Sequence, residues 1–263
     1  MHHVGVTISR DDLGRLVTLP GEVRRVVSLV PSLTESVAVT APGVLVGATD
    51  WCVHPADLDV VRVGGTKNPD VERIRLLRPD VVLANEEENR AADLDALRAA
   101  GIAVWVTVIR DLGEALVSLR RMLTEVCGRP HPPWLAEAER AWNRPATRAR
   151  CTAVVPIWRR PWMVLGRDTF AGDVLARLGV DNLFAGHSER YPKVALSDLR
   201  AARPDLVVLP DEPYRFTGED GPECFPGLDV ALVSGRHLTW YGPSLAEAPA
   251  ILARALREPV RQS

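Results

Sequence analysis

Short, continuous apolar runs recur along the first half of the chain. RRVVSLV at 24–30, VLVGATD at 44–50, DVVLA at 80–84 and IAVWVTV at 102–108 have the length and β-branched content of strands buried on both faces. Between them the apolar positions fall at helical spacing. Pro31 closes the first run, and Ser32-Leu33-Thr34-Glu35 reads as a capping box opening a helix. Asn68-Pro69 reads as a cap and first helical position, and the helix over 90–100 puts Leu94 and Leu97 on one face before Gly101 stops it. An amphipathic helix follows over 112–127. Strands joined by short helical crossovers predict a parallel sheet. The second half repeats the habit, with strands CTAVVPIW, WMVLG and DVALVSG, a helix ending at Gly179, and a last helix over 244–257 whose Pro249 is expected to delay or kink its start.

One stretch occurs twice. VERIRLLRPDVVLANEEENR at 71–90 returns as LSDLRAARPDLVVLPDEPYRF at 196–216, with Arg78-Pro79-Asp80 matched by Arg203-Pro204-Asp205. Each copy reads as a helix that Pro stops, a buried strand, and an acidic loop. The expectation is an α/β protein of two similar lobes, each a mainly parallel sheet flanked by helices, spanning 1–129 and 150–263. Residues 130–149, helical with Pro at 132, 133 and 145, are expected to join them as a rigid connecting helix. Ligands of open α/β sheets collect at the carboxyl ends of the strands, so a small-molecule cleft between the lobes is predicted.

Composition narrows the function. At 263 residues, 46% hydrophobic and 25% charged, the chain can bury two modest cores, and a net charge of -2 gives no basis for nucleic-acid binding. Cys52, Cys127, Cys151 and Cys224 show no metal-finger spacing and read as free thiols. The opening residues contain no export signal and no lipid-bearing Cys, and no run is long enough to span a membrane. As written, the chain predicts a cytoplasmic protein, and an extracytoplasmic one if a leader has been removed.

Candidate chemistry gathers at the predicted strand ends. Trp51, Trp158, Trp162, Tyr191, Tyr214, Phe216, Trp240 and Tyr241 lie there in a chain with only 5% aromatic residues. Such rings can stack on a planar or macrocyclic ligand, or they can roof the lobe cores. Charged groups at the same level include Glu35, Asp50, Glu86, Glu87, Glu88, Arg90, Arg110, Arg159, Asp168, Asp211, Glu212 and Arg215. The run Glu86 to Glu88 can meet a cation or an amide-bearing ligand, or stand as a solvated loop; Glu35 reads as a cap. The histidines have no zinc spacing, and nucleophile-elbow, Walker and dinucleotide motifs are missing, so no catalytic or metal-ligating set is assigned.

RVVSLVPSLTE, GATDWCVHP, VGGTKNPDVERIRLLRPDVVLA, EENR, LRAAGIAVWVT and TWYG resemble the helical-backbone substrate-binding proteins of ABC importers, the cobalamin, haem and ferric-siderophore receptor family. Among these the sequence is most similar to the cobalamin-binding members. The resemblance runs from about Val23 to the final helix and implies a non-enzymatic, monomeric binder of a corrinoid or other metal chelate, needing no cofactor of its own. It implies ligand contact by Pro31 and Ser32 after the first strand and by Trp51, Tyr191 and Trp240. Glu87, Arg110, Trp158, Trp162, Tyr214 and Tyr241 complete the candidate set. Thr66 and Asn85 stand where family aromatics would be. The resemblance also implies docking to an ABC permease through one acidic residue per lobe. Glu72, seven residues before Pro79, matches the first; at the second position stands Ser197, read as a helix cap, with Asp198 beside it as the substitute. A cytoplasmic corrinoid-handling protein or enzyme that reuses the fold is the competing expectation.

Overall fold

The computed structural model describes residues 5–143 and 151–261. The chain forms two compact units. The first comprises Met1–Ile109, Gly113–Ala136 and Tyr241–Pro243; the second comprises Arg110–Leu112, Glu137–Trp240 and Ser244–Ser263.

The first unit opens with a hairpin, β1 (Val6–Arg10) and β2 (Leu16–Pro20). It continues through β3 (Val26–Ser28), α1 (Pro31–Thr40), β4 (Leu45–Ala48), β5 (Val61–Arg62), β6 (Gly64–Gly65), β7 (Asn68–Pro69), α2 (Val71–Leu76), β8 (Val81–Asn85), α3 (Ala91–Ala99), β9 (Val104–Thr107) and α4 (Leu112–Glu125). Its sheet runs β5-β4-β3-β8-β9, every pair parallel. Helix α5 (Pro133–Trp142) follows, and the boundary between the units falls inside it. The Trp134 indole N–H donates to Thr40 Oγ1 at 2.9 Å, and that of Trp142 to the Leu245 carbonyl at 2.9 Å. The remainder of the expected connecting helix, 144–149, lies outside the described residues.

The second unit holds β10 (Cys151–Val154), β11 (Pro156–Arg159), β12 (Trp162–Val164), α6 (Phe170–Arg177), β13 (Val180–Asn182), α7 (Leu196–Ala201), β14 (Leu206–Pro210), β15 (Asp229–Val233), α8 (Gly235–Thr239), α9 (Ala248–Arg257) and β16 (Val260–Arg261). Its sheet runs β13-β10-β14-β15-β16, parallel except at β16. The order β4-β3-β8-β9 in one unit and β13-β10-β14-β15 in the other is the same topology, so the repeat seen in the sequence is a repeat of fold. The α/β architecture of two similar sheets flanked by helices is as the sequence predicts.

The repeated Arg-Pro-Asp has a physical function in each copy. Arg78 (φ 46°) and Arg203 (φ 49°) take left-handed backbone at the ends of α2 and α7, a strained conformation costing on the order of 1 kcal/mol each. Pro then stops the helix. Asp80 Oδ2 accepts from the Arg24 and Arg25 amides, both at 2.8 Å. Asp205 Oδ2 accepts from the amide and hydroxyl of Thr152, again both at 2.8 Å. Each Asp thus ties its own strand to the start of the neighbouring central strand, β3 or β10. Buried Val27, Leu29, Ile74, Val82, Leu97 and Val106 fill the first core; Val154, Leu199, Val207, Leu209, Phe225 and Val230 fill the second.

Several local expectations are corrected. Pro31 itself begins α1 with Val30 as the N-cap, so Ser32 and Glu35 lie inside the helix and form no capping box. Asn68-Pro69 is not the cap of α2. It pairs with Gly64–Gly65 in a small hairpin, and the Asp70 side chain caps α2 by accepting from the Arg73 amide at 2.9 Å. Ser197 does not cap α7 either: Ala195 is the N-cap, and the Ser197 hydroxyl donates to Asp198 at 3.3 Å. The expected delay at Pro249 is present, since a 3-10 turn at Pro243–Ala246 precedes α9. The β1–β2 hairpin has no counterpart among the predicted elements. Val17 and Leu19 turn inward while Leu16 is exposed, so β2 carries apolar residues on both faces; Val6-Thr7-Ile8-Ser9 does alternate, but over four residues only and with its apolar face more than 60% exposed. Among the described residues, no helix is long and apolar enough to cross a membrane.

Candidate ligand-binding site

In a parallel sheet the loops after successive strands emerge along one edge, and that edge collects most of the candidates. In the first unit, Pro31 and Ser32 follow β3, Trp51 follows β4, Glu87 follows β8 and Arg110 follows β9. The sheet reverses its build direction between β3 and β8, the position where open α/β sheets leave a crevice. In the second unit, Tyr191 follows β13, Trp158 and Trp162 follow β10, Tyr214 follows β14 and Trp240 follows β15, with the reversal between β10 and β14.

The first-unit loops are held from within. Asn85 closes β8 with its side chain buried: Nδ2 donates to the Thr107 carbonyl and hydroxyl, both at 3.1 Å, while Oδ1 accepts from the Glu87 and Glu88 amides at 2.9 and 3.3 Å. Asn89, also buried, accepts from the Asn85 amide at 2.9 Å and donates to the carbonyls of Leu29 and Thr66 at 3.4 and 2.9 Å. Two amides therefore pin the end of β3, the β6–β7 turn and the acidic loop. Neither belongs to the predicted set. The one signal was Asn85 at a position where the family resemblance implies an aromatic. Lys67 Nζ closes the same loop by donating to the Glu87 carbonyl at 2.5 Å. Burial pushes the Glu88 carboxyl up, with Lys67 opposing the shift and Glu87 adding to it.

Trp51 is 67% exposed. The residue after it points inward: Cys52 is fully buried, its sulfur 3.0 Å from Thr34 Oγ1 and 3.1 Å from Thr49 Oγ1, and burial pushes its thiol up. Ser32 is buried and Pro31 half-buried. Gly242, in the Tyr241–Pro243 segment of this unit, presses on the first turn of α1. A Cβ there would stand 3.0 Å from the Ser32 carbonyl oxygen. Tyr241 is 7% exposed. Arg110 is half-buried and groups with the second unit, where the Leu112 amide donates to Asp173 at 3.0 Å.

The second unit carries an aromatic cluster across its β10/β14 reversal. Trp158, 41% exposed, meets Tyr214 edge-on with centroids 5.6 Å apart. Tyr214 donates its hydroxyl to Asp220 at 2.7 Å and leans on Phe216 at 4.7 Å. Trp162 stacks on Phe216 at 6.1 Å and meets Phe225 edge-on at 5.6 Å, so Trp162 and Phe216 serve the core. Arg159 pairs with Asp220 and, at 2.6 Å, with Glu223, and its guanidinium lies 5.8 Å from the Trp162 ring. Tyr191 is half-buried beside the Arg190 guanidinium at 5.9 Å. Trp240 is 7% exposed, its indole N–H donating to Glu212 Oε2 at 2.9 Å. Burial pushes the Glu212 carboxyl up; the Trp240 hydrogen bond opposes this. Among the described residues, no group of three or more His, Cys, Asp or Glu side chains is arranged to hold a metal ion.

The chain as a whole resembles several known proteins in sequence and in fold. The chain is 25% identical over 205 residues to the vitamin B12-binding protein of Yersinia pestis (strain Pestoides F), covering 74% of this chain and 72% of that protein. The periplasmic vitamin B12-binding protein BtuF of Vibrio cholerae superposes with a TM-score of 0.70 at 17% identity, over 89% of this chain and 97% of the other. The family resemblance holds. The chain has the fold of these binding proteins. The periplasmic haem-binding protein RhuT of Roseiflexus sp. RS-1 matches as well, with a TM-score of 0.75 at 20% identity over 89% and 97% of the two chains. CeuE of Helicobacter pylori reaches a TM-score of 0.81 at 13% identity, over 95% of this chain and 88% of the other. No family model matches the sequence.

Proposed function

We propose that this protein binds a metal-chelate macrocycle, a cobalamin-like corrinoid first and haem second, as the substrate-binding component of an ABC importer. The observation that carries the reading is a pair of accessible indoles, Trp51 at 67% and Trp158 at 41% exposure, each at the carboxyl edge of a parallel sheet. An exposed Trp offers a large rigid face that gains most when a flat ligand covers it. Binding rather than catalysis is supported by the relatives, which are binding proteins by name. The ligand is the chelate itself, and no further cofactor enters. Pro31, Ser32, Glu87 and Arg110 are proposed as polar and backbone contacts, Tyr191 and Tyr214 as side walls, with Trp162 backing Tyr214 through Phe216. Trp240 and Tyr241 contribute where the ligand displaces their present cover.

Permease docking is proposed for Glu72 and Asp198. Glu72 stands in the first turn of α2 with its carboxylate exposed and 3.0 Å from Arg75; Asp198 stands in the first turn of α7, the repeat-related helix. The direct test is titration with cyanocobalamin, haemin and a ferric siderophore while following Trp emission. Saturable quenching by the corrinoid at the lowest concentration is expected. Unchanged emission with all three, checked by calorimetry, removes the chelate reading.

A further inference from the structure

An indole that is 67% exposed can lose much of its binding value to the cost of fixing its loop, so what holds Trp51 matters as much as the ring. The segment from Thr49 to Leu58 runs between β4 and β5, and its backbone folds on itself through the Cys52 amide to Thr49 carbonyl bond at 3.1 Å and the Val53 amide to Trp51 carbonyl bond at 3.0 Å. The Arg62 side chain reaches this segment from the edge strand β5. Its Nη1 donates to the carbonyls of Thr49 at 3.0 Å and Cys52 at 2.8 Å, on either side of Trp51, and Nη2 donates to the Leu58 carbonyl at 3.4 Å. Arg62 is itself braced, since its carbonyl accepts from Arg73 Nη1 at 2.8 Å.

We propose that Arg62 is a positioning residue that pre-forms the Trp51 loop for ligand stacking. The inference rests on the reading of Trp51 as a ligand contact. A planar guanidinium spans three carbonyls at fixed angles, whereas the compact ammonium of lysine serves fewer at once. Removing the fork frees the carbonyls to water and lets the indole sample orientations that do not bind.

The test uses the whole protein with Arg62→Gln and Arg62→Lys, each made with and without Trp51→Ala, so that difference spectra isolate Trp51 from the other indoles. In ligand-free protein, Arg62→Gln is expected to lower the anisotropy of the Trp51 component and raise its acrylamide quenching about twofold, with Arg62→Lys intermediate. For cyanocobalamin and haemin, Arg62→Gln is expected to raise Kd roughly tenfold, and to change it little once Trp51 is already Ala, because the two act through one contact. A lower melting temperature with Trp51 anisotropy and quenching unchanged overturns the proposal and leaves Arg62 as an ordinary loop staple. Additive effects on Kd in the double variant overturn it too. If the parent protein binds neither chelate, the proposed function fails, while the ligand-free spectra still decide whether Arg62 orders Trp51.

Discussion

Asn85 shows how much one buried polar side chain can organise. Its carboxamide satisfies both donors and its acceptor inside the protein, and losing it leaves the Glu87 and Glu88 amides without that acceptor, while the Thr107 carbonyl keeps its bond from the Glu86 amide at 3.0 Å. Asn85→Ala is therefore expected to cost about 2–4 kcal/mol, from the penalty for two unpaired amides, measured by urea unfolding. A loss below about 1 kcal/mol would mean that water replaces the amide. Glu212 makes the opposite case, because its folded carboxyl titrates above the ordinary value through burial. A raised acid favours the folded state most below its unfolded pKa and loses that advantage as pH rises through the folded one. Glu212→Gln mimics the protonated acid and can still accept from the Trp240 indole. It is expected to melt higher than the parent at about pH 7 and equally near pH 4; a gain that is independent of pH would locate the effect elsewhere. Neither role was legible beforehand. Sequence ranks Asn85 and Glu212 as polar loop residues, and only the fold reveals that one ends a fully buried strand while the other meets an indole from the loop after β15.

At the scale of elements the sequence was most informative where hydrophobic runs are long and bounded. Strands β3, β4, β9, β14 and β15 fall inside the predicted runs, and β8 exceeds its run only by Asn85, because strands covered on both faces need continuous Val and Leu. Caps were least legible, since Val30 and Ala195 hold N-cap positions without any side-chain cap hydrogen bond, near serines that local preference would choose, and only Asp70 caps through its side chain. The Arg-Pro-Asp repeat was read as a helix stop but not as a strand clamp. Its clamp is testable. Hydrogen bonds from Thr152 hold the Asp205 carboxyl below its ordinary value. A depressed acid contributes stability above its unfolded pKa and loses it as pH falls through the folded one. Asp205→Ala should thus destabilise the protein at about pH 7 and flatten the acid limb below about pH 4. Hydrogen exchange should accelerate first in β10. Protection lost evenly over both sheets would argue that Asp205 acts globally and not on its own strand pair.

At the scale of the whole molecule, the repeat dictated that the candidate loops occur twice, once per sheet, and topology gathers them at corresponding edges. What the sequence left open is which rings present a face. Eight aromatics were drawn to the strand ends, yet Phe216, Trp240 and Tyr241 are at most 7% exposed while Trp51 and Trp158 are not. Side-chain burial depends on packing from elements distant in sequence, which no local pattern encodes. The ranking of affinity losses should follow that exposure. Trp51→Ala is expected to weaken corrinoid binding by about 1–3 kcal/mol, the scale of one well-covered aromatic contact. Trp158→Ala should cost less than that, because its edge remains partly committed to Tyr214. Phe216→Ala should act differently, lowering stability by about 3–5 kcal/mol through a core cavity. Calorimetric titration beside thermal melts separates the three. If Trp51→Ala leaves affinity intact while Phe216→Ala abolishes it without a stability loss, the accessible rings are not the binding face, and a buried aromatic pocket must open to take the ligand.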